Sequence, residues 1–350
     1  MQKTNHSLKK TYCRLSSCIF VIILTVIFIN TTFATEQKPS LKTAYFTVWD
    51  ENALVNNSAL KLLSEELSKP QNGNYVINTI PCPRHLNSNN SISIVAWKYF
   101  KIPKSPIKNH SYLWQLESPI SISVPPTELY KESFKKIFTY YKPSCDDKKI
   151  IHLPIPYNYD QIISDYDIQK KEILVTHVGQ YSINHHYIQR IKTIYWFLEN
   201  HPDDILFYGN GWNEILPNLS KNAKQSFSKK YGGYIPDKIK TISRAKFVLA
   251  FENTRAEDYV SEKIYDAMAA GSVPIYSGAP NIDKHVPKEC YIDFHAFKKH
   301  DDLYKYISTM PDEKYMSYLN CIRTFMSEPE KHANHPKNVV SIILSHIDEK

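Results

Sequence analysis

Cysteine is scarce in this chain and poorly spaced for metal. Six occur in 350 residues and no two form a C-x-x-C pair, so a zinc site is not expected. Glycine is scarce as well, at 8 residues. The one D-x-D triplet, Asp165-Tyr166-Asp167, stands in polar sequence and follows no apolar strand, so it does not read as a metal ligand pair. His185 and His186 are adjacent, which is poor geometry for sharing one ion. Asp146-Asp147, Asp203-Asp204 and Asp301-Asp302 read as loop or helix-start acids. No helical stretch carries an arginine stripe and the lysines are scattered, which argues against nucleic acid as a partner. Internal repeats and low-complexity tracts are missing from the body of the chain.

What is present is enough for two domains with cores of their own: 42% hydrophobic residues against 22% charged. Aromatics reach 13%, with 25 Tyr, and the formal net charge is +8. Near the start, Lys3, Lys9, Lys10 and Arg14 precede one apolar run, Cys18 to Ile29. Two readings of residues 1–34 stand side by side. As a cleaved signal peptide, the segment has a basic start, a short apolar stretch and a small-residue exit at Thr32-Phe33-Ala34. As a signal anchor it is short of the ~20 apolar residues a span wants, although Leu15 and Phe33 nearly extend it that far. The preceding charges predict an N-terminus inside and a body outside the cytosol. Beyond the leader, Cys82, Cys145, Cys290 and Cys321 allow two disulfides in three connectivities if the body is lumenal, and plain thiols if it is cytosolic. Asn56, Asn89, Asn109 and Asn218 open glycosylation sequons that matter only in a eukaryotic lumen.

Short apolar runs alternate with helical patterns. Thr43–Val48, Tyr75–Ile80, Ser91–Val95, Tyr112–Leu116 and Ile137–Tyr140 read as strands, the last closing an α/β domain over 41–160. A helix after Ser58 carries Leu60, Leu62, Leu63 and Leu67. A polar hinge is expected near Asn158–Lys171. A second series over 170–310 starts with strand Ile173–His177, an amphipathic helix over His186–Asn200 and strand Leu206–Tyr208. A helical tail fills 311–350.

Residues 245–294 are the densest in polar side chains at one edge. Phe247–Phe251 reads as a buried parallel strand, Ser261 as an N-cap, Ile264, Ala267 and Met268 as a helix face, Gly271 as its C-cap, and Val273–Tyr276 as the next strand. Ligands of open α/β sheets bind outside the carboxyl ends of the strands. Glu252, Asn253, Tyr259, Glu262 and Lys263 are therefore expected to face one crevice, with Lys263 in the first turn of a helix whose N–H groups already favour an anion.

The string FEN, then DYVSEKIYDAMAAGSVPIYSGAP, then YIDF resembles the signature of glycosyltransferase family 10, the α-1,3/1,4-fucosyltransferases. The resemblance implies an α/β fold of GT-B architecture, two Rossmann-like domains facing across a cleft. It also implies GDP-fucose as donor and an inverting transfer of L-fucose to a hydroxyl of a GlcNAc-type glycan acceptor. The alternatives are a transferase using another GDP-sugar and a catalytically inactive glycan- or nucleotide-binding relative. Glu117 ends the strand YLWQLESP, and family members carry a similar E-S-P whose Glu is the favoured base, so Glu117 is expected to take the proton of the acceptor hydroxyl. Arg190, in IQRIKTI, resembles a family Arg that reaches the donor diphosphate, where its fork binds two oxygens. Lys263 joins it as charge builds on the departing GDP. Lys238 resembles a family Lys of uncertain role. No metal and no cofactor are expected to be required, with divalent cations at most stimulatory.

The arginine-rich stretch that follows E-S-P in vertebrate members is absent. Phe138-Thr139-Tyr140 stands there instead, closer to bacterial members. The acceptor is thus left open among glycoprotein, glycolipid and bacterial surface polysaccharide. The resemblance favours a single-pass type II membrane protein with a Golgi-type lumenal body. The alternative is a bacterial envelope protein, or one on the cytoplasmic face of the inner membrane, because an exported bacterial body would meet no GDP-fucose.

Overall fold

The computed structural model describes residues 43–48, 58–72, 76–80, 91–97, 111–115, 131, 134–139, 147–163, 171–181 and 188–347. The leader over 1–34, with both of its readings, lies outside these residues, as do Glu117, Asp165-Tyr166-Asp167, Cys82 and Cys145. Among the described residues no helix is long and apolar enough to cross a membrane.

Among the described residues the first half forms a six-stranded parallel sheet. Its strands are β1 (Thr43–Val48), β2 (Val76–Ile80), β3 (Ser91–Trp97), β4 (Ser111–Gln115), β5 (Lys136–Thr139) and β6 (Ile150–His152), in the spatial order β2-β1-β3-β4-β5-β6. Gln115 pairs with Thr139, and Thr139 with His152, so three carboxyl ends form one edge. The expected closing strand is β5, but β6 adds the true edge. Its three half-buried residues, Ile-Ile-His, give too short an apolar run to separate from the loop around it.

The second half is a five-stranded parallel sheet: β7 (Ile173–Val178), β8 (Ile205–Tyr208), β9 (Ala245–Phe251), β10 (Val273–Ser277) and β11 (Ile292–Asp293), in the order β11-β10-β9-β7-β8. Helix α1 (Ser58–Leu67) belongs to the first half. Helices α2 (Ile188–Asn200), α3 (Lys221–Lys230), α4 (Lys238–Ile242), α5 (Glu262–Ala269), α6 (His300–Ser308) and α7 (Asp312–Met326) surround the second sheet. The central strand β9 is almost wholly buried, as a parallel strand covered on both faces must be. Gly271, at φ 65, takes the left-handed conformation just past α5 that a side chain would resist.

The tail does not simply extend the second half. Helix α8 (Pro336–Ile347) opens on Pro336, whose fixed φ suits a first helical position, and carries Val339, Val340, Ile343 and Ile347 on one stripe. That stripe packs with Leu63 and Leu67 of α1 and with Tyr112, Trp114 and Phe138 of the first sheet, all buried. The Tyr112 hydroxyl donates to the Ile347 carbonyl at 3.3 Å. The last helix thus completes the core of the first half. Helix α7 of the tail stays with the second half, where its Cys321 is joined by a disulfide to Cys290 in the turn before β11.

Candidate active site

The loop leaving β9 and the first turn of α5 hold most of the predicted residues. Glu252 follows Phe251 directly, and its N–H donates to the Ser277 carbonyl at 2.8 Å, continuing the β9–β10 ladder by one residue. Its carboxylate is fully buried and accepts the Ser261 N–H at 2.8 Å and the Ser261 hydroxyl at 2.6 Å. Ser261 holds the N-cap position, as expected, but makes no side-chain cap. The carboxylate of Glu252 caps the helix in its place, at the end where the helix dipole favours negative charge.

Lys263 lies 3.4 Å from Glu252, 2.9 Å from the Ser261 hydroxyl and 3.3 Å from Glu262. Lys238, at the start of α4, pairs with Asp266 at 2.6 Å and stands 3.9 Å from Glu262. The side chains run Asp266, Lys238, Glu262, Lys263, Glu252 in alternating charge along one flank of α5. Burial pushes the Glu262 carboxyl up, but Lys263 and Lys238 outweigh it and hold it below the ordinary range. The Glu262 side chain is 45% exposed, so water screens part of that pairing. Burial pulls Lys238 down, and Asp266 and Glu262 raise it above the usual lysine value.

Arg190 sits on α2, only 3% exposed, and reaches across to the same edge. It donates through Nη2 to the Phe251 carbonyl at 2.7 Å and to Asn253 Oδ1 at 3.4 Å, and through Nη1 to the Gln180 carbonyl at 3.1 Å. These carbonyl anchors hold the fork in one orientation. It borders a cavity of about 210 Å³, together with Glu252, Thr254, Arg255, Ser277, Gly278 and His295. Gly278 permits the closeness of this wall, because a Cβ there would stand 2.5 Å from Glu252 Cγ and 2.3 Å from the Tyr276 hydroxyl.

The structure therefore brings Arg190 and Glu252 to one cavity, with Asn253 against Arg190; Glu262 and Lys263, expected in the same crevice, do not border that cavity, because they pair with each other and with Lys238 and Glu252 along α5. Tyr259 departs from the expectation: it is 2% exposed and packs against Ile155 and Ala256, because the loop turns it inward. Lys238 faces α5 rather than the cavity. Arg255 and His295 line the cavity and were missed by the sequence reading. Arg255 directly follows the F-E-N-T string and was legible there, whereas His295 comes from the loop after β11, far along the chain. Also missed was His177, at the carboxyl end of β7. Its Nδ1–H donates to the Leu249 carbonyl at 3.1 Å. Burial, aided by the Arg190 charge, pushes it well below the usual histidine range, so the ring is neutral. The strand that leads to Glu117, β4, ends at the carboxyl edge of the first sheet.

A buried guanidinium and an exposed arginine border this cavity at the carboxyl ends of parallel strands, and groups of that kind suit an anion. The profile described as "Glycosyltransferase family 10 (fucosyltransferase) C-term" matches residues 168–343. The mouse protein named 4-galactosyl-N-acetylglucosaminide 3-alpha-L-fucosyltransferase 9 is 36% identical over 114 residues. That alignment spans 31% of this chain and 32% of the relative, so the chain matches only about a third of its length. A crystal structure of an alpha1,3-fucosyltransferase with GDP superposes with a TM-score of 0.58 at 15% identity, over 92% of this chain and 94% of that one. A crystal structure of an alpha1,3-fucosyltransferase with GDP-fucose gives 0.57 at 16%, with the same coverage. At these identities the likeness establishes the fold, which is GT-B.

Proposed function

The chain belongs to glycosyltransferase family 10, and on that premise we propose that it moves L-fucose from GDP-fucose to a hydroxyl of a GlcNAc-type glycan, with inversion at the anomeric carbon. The observation that carries the reading is the anchored guanidinium of Arg190 beside the α5 start, at the carboxyl edge of the second sheet. Arg190 holds the diphosphate, and its carbonyl anchors mean the fork is oriented before the donor arrives. Lys263 gives up Glu252 and Glu262 for the donor and meets the charge that builds on departing GDP. Preorganised cations count most where charge develops. Glu252 keeps α5 docked to β9, Asn253 and Glu262 contact ribose or sugar, and Lys238 steadies Glu262. Glu117, two residues beyond β4 in sequence, takes the proton of the attacking hydroxyl. Transfer needs no divalent cation on this reading, although one could stimulate it.

The Cys290–Cys321 disulfide supports an exported body, since such bonds persist in oxidising compartments. With the basic residues before Cys18, it favours a type II, Golgi-type membrane protein.

The test is turnover of the full chain with a panel of GDP-sugars and GlcNAc-type acceptors, with and without EDTA. The expected result is fucose transfer from GDP-fucose that survives EDTA. Transfer from a different GDP-sugar alone, or none from any, would overturn the reading. Beside it, Glu117→Gln should bind GDP normally and lose transfer by ~10²–10⁴-fold, the usual cost of a lost general base.

A further inference from the structure

A second cavity, also of about 210 Å³, lies where the first sheet's carboxyl edge meets the loop between β9 and α5. Its walls include His152, Asp258, Lys284, His285, His332 and Asn334, none of which borders the Arg190 cavity. Its one carboxylate is already engaged. Asp258 Oδ1 accepts from Asn281 Nδ2 and from His285 Nε2, each at 2.8 Å. The opposite wall offers donors. Asn334 is 6% exposed, and its Oδ1 accepts the Tyr159 hydroxyl at 2.6 Å. Its Nδ2 is buried and has no hydrogen-bond partner among the described residues. Buried N–H groups left unmade are costly, and native structures rarely keep one without a reason. Lys284 stands exposed at the rim and forms no ion pair among the described residues. A metal is a poor fit, because no group of three His, Cys, Asp or Glu among the described residues could hold one.

An engaged carboxylate, an unmade buried N–H₂ and a rim ammonium together call for an acceptor that carries negative charge. We infer that this cavity binds an oxyanion, a sulfate, phosphate or carboxylate group held by Asn334 Nδ2 and Lys284. The place of the cavity gives that group two sources. His152 lies in register with Thr139, which pairs with Gln115 of β4, so the cavity is two strands, ~10 Å, from the strand that leads to Glu117. An acidic substituent on the acceptor glycan could reach it, and so could a free ion. The acceptor source rests on the function proposed above; the binding itself does not.

Calorimetric titration of the full chain with sodium sulfate at constant ionic strength tests the binding without any transfer assay. Saturable binding should persist in saturating GDP and weaken by about tenfold in Lys284→Ala, the scale of one charge-assisted hydrogen bond. It should vanish in Asn334→Asp, which keeps the acceptor for Tyr159 and removes the N–H₂. The inference is overturned by no saturable binding, by displacement with GDP, or by binding that either variant leaves unchanged. A comparison of sulfated and neutral acceptors then names the source. A lower KM for the sulfated acceptor that Lys284→Ala removes supports the glycan. Equal KM values, with sulfate binding intact, support the free ion.

Discussion

Single residues at the α5 start have two duties each, and substitutions there should separate them. Lys263→Ala should lose GDP-fucose turnover by at least ~10²-fold, as removing one preorganised charge contact commonly does. It should also destabilise the fold, because Glu252 is left buried without its cation. Glu252→Gln isolates the second duty. Burial lifts the Glu252 carboxyl above its ordinary value, against the pull of Lys263 and the Ser261 donors. The folded state thus binds this proton more tightly than the unfolded chain. The stabilisation from that proton is fully present below the ordinary carboxylate range and is lost as pH rises through the folded value. The stability of the wild type relative to Glu252→Gln should therefore fall as pH rises from the ordinary carboxylate range through the raised folded value. Urea midpoints across that range check it, and a constant difference would refute it. The residue types of this site were legible because F-E-N and S-E-K lie within a dozen positions of each other. The inward turn of Tyr259 was not, since its burial is set by Ile155, far back in the chain.

Among the elements, α8 makes the clearest claim. Ile343 is 1% exposed within the first-half core. Ile343→Ala should cost about 2–5 kcal/mol, as large-to-small core changes do, measured by urea unfolding. The loss should show in probes of the first sheet, although residue 343 is just over 200 positions from Phe138. Most strands could be read from their apolar runs, because parallel strands covered on both faces leave no alternation to confuse. β6 and β11 escaped, being two or three residues long and paired only at a sheet edge. That the tail is helical was readable from spacing; which half it serves was not, because a stripe of Val and Ile says that it needs a partner and not which one.

For the whole molecule, the disulfide is a cross-link between the turn before β11 and α7, closing a separation of 31 residues. Loss of such a loop constraint costs on the order of 3–4 kcal/mol through the unfolded state. Cys321→Ser should lower the stability of the oxidised protein by that order, and reductant should do the same to the wild type but not to the variant. Equal effects of reductant on both would contradict the pairing. The seat of α8 has a further consequence, in the order of synthesis. The first sheet leaves the ribosome well before the helix that closes its core. Hydrophobic faces around Trp114 and Phe138 must wait, uncovered, while some two hundred residues of the second half are translated and fold. A chaperone that shields the nascent first half, or slow passage through a translocation channel, would then govern the yield of folded protein more than the stability of the finished fold does.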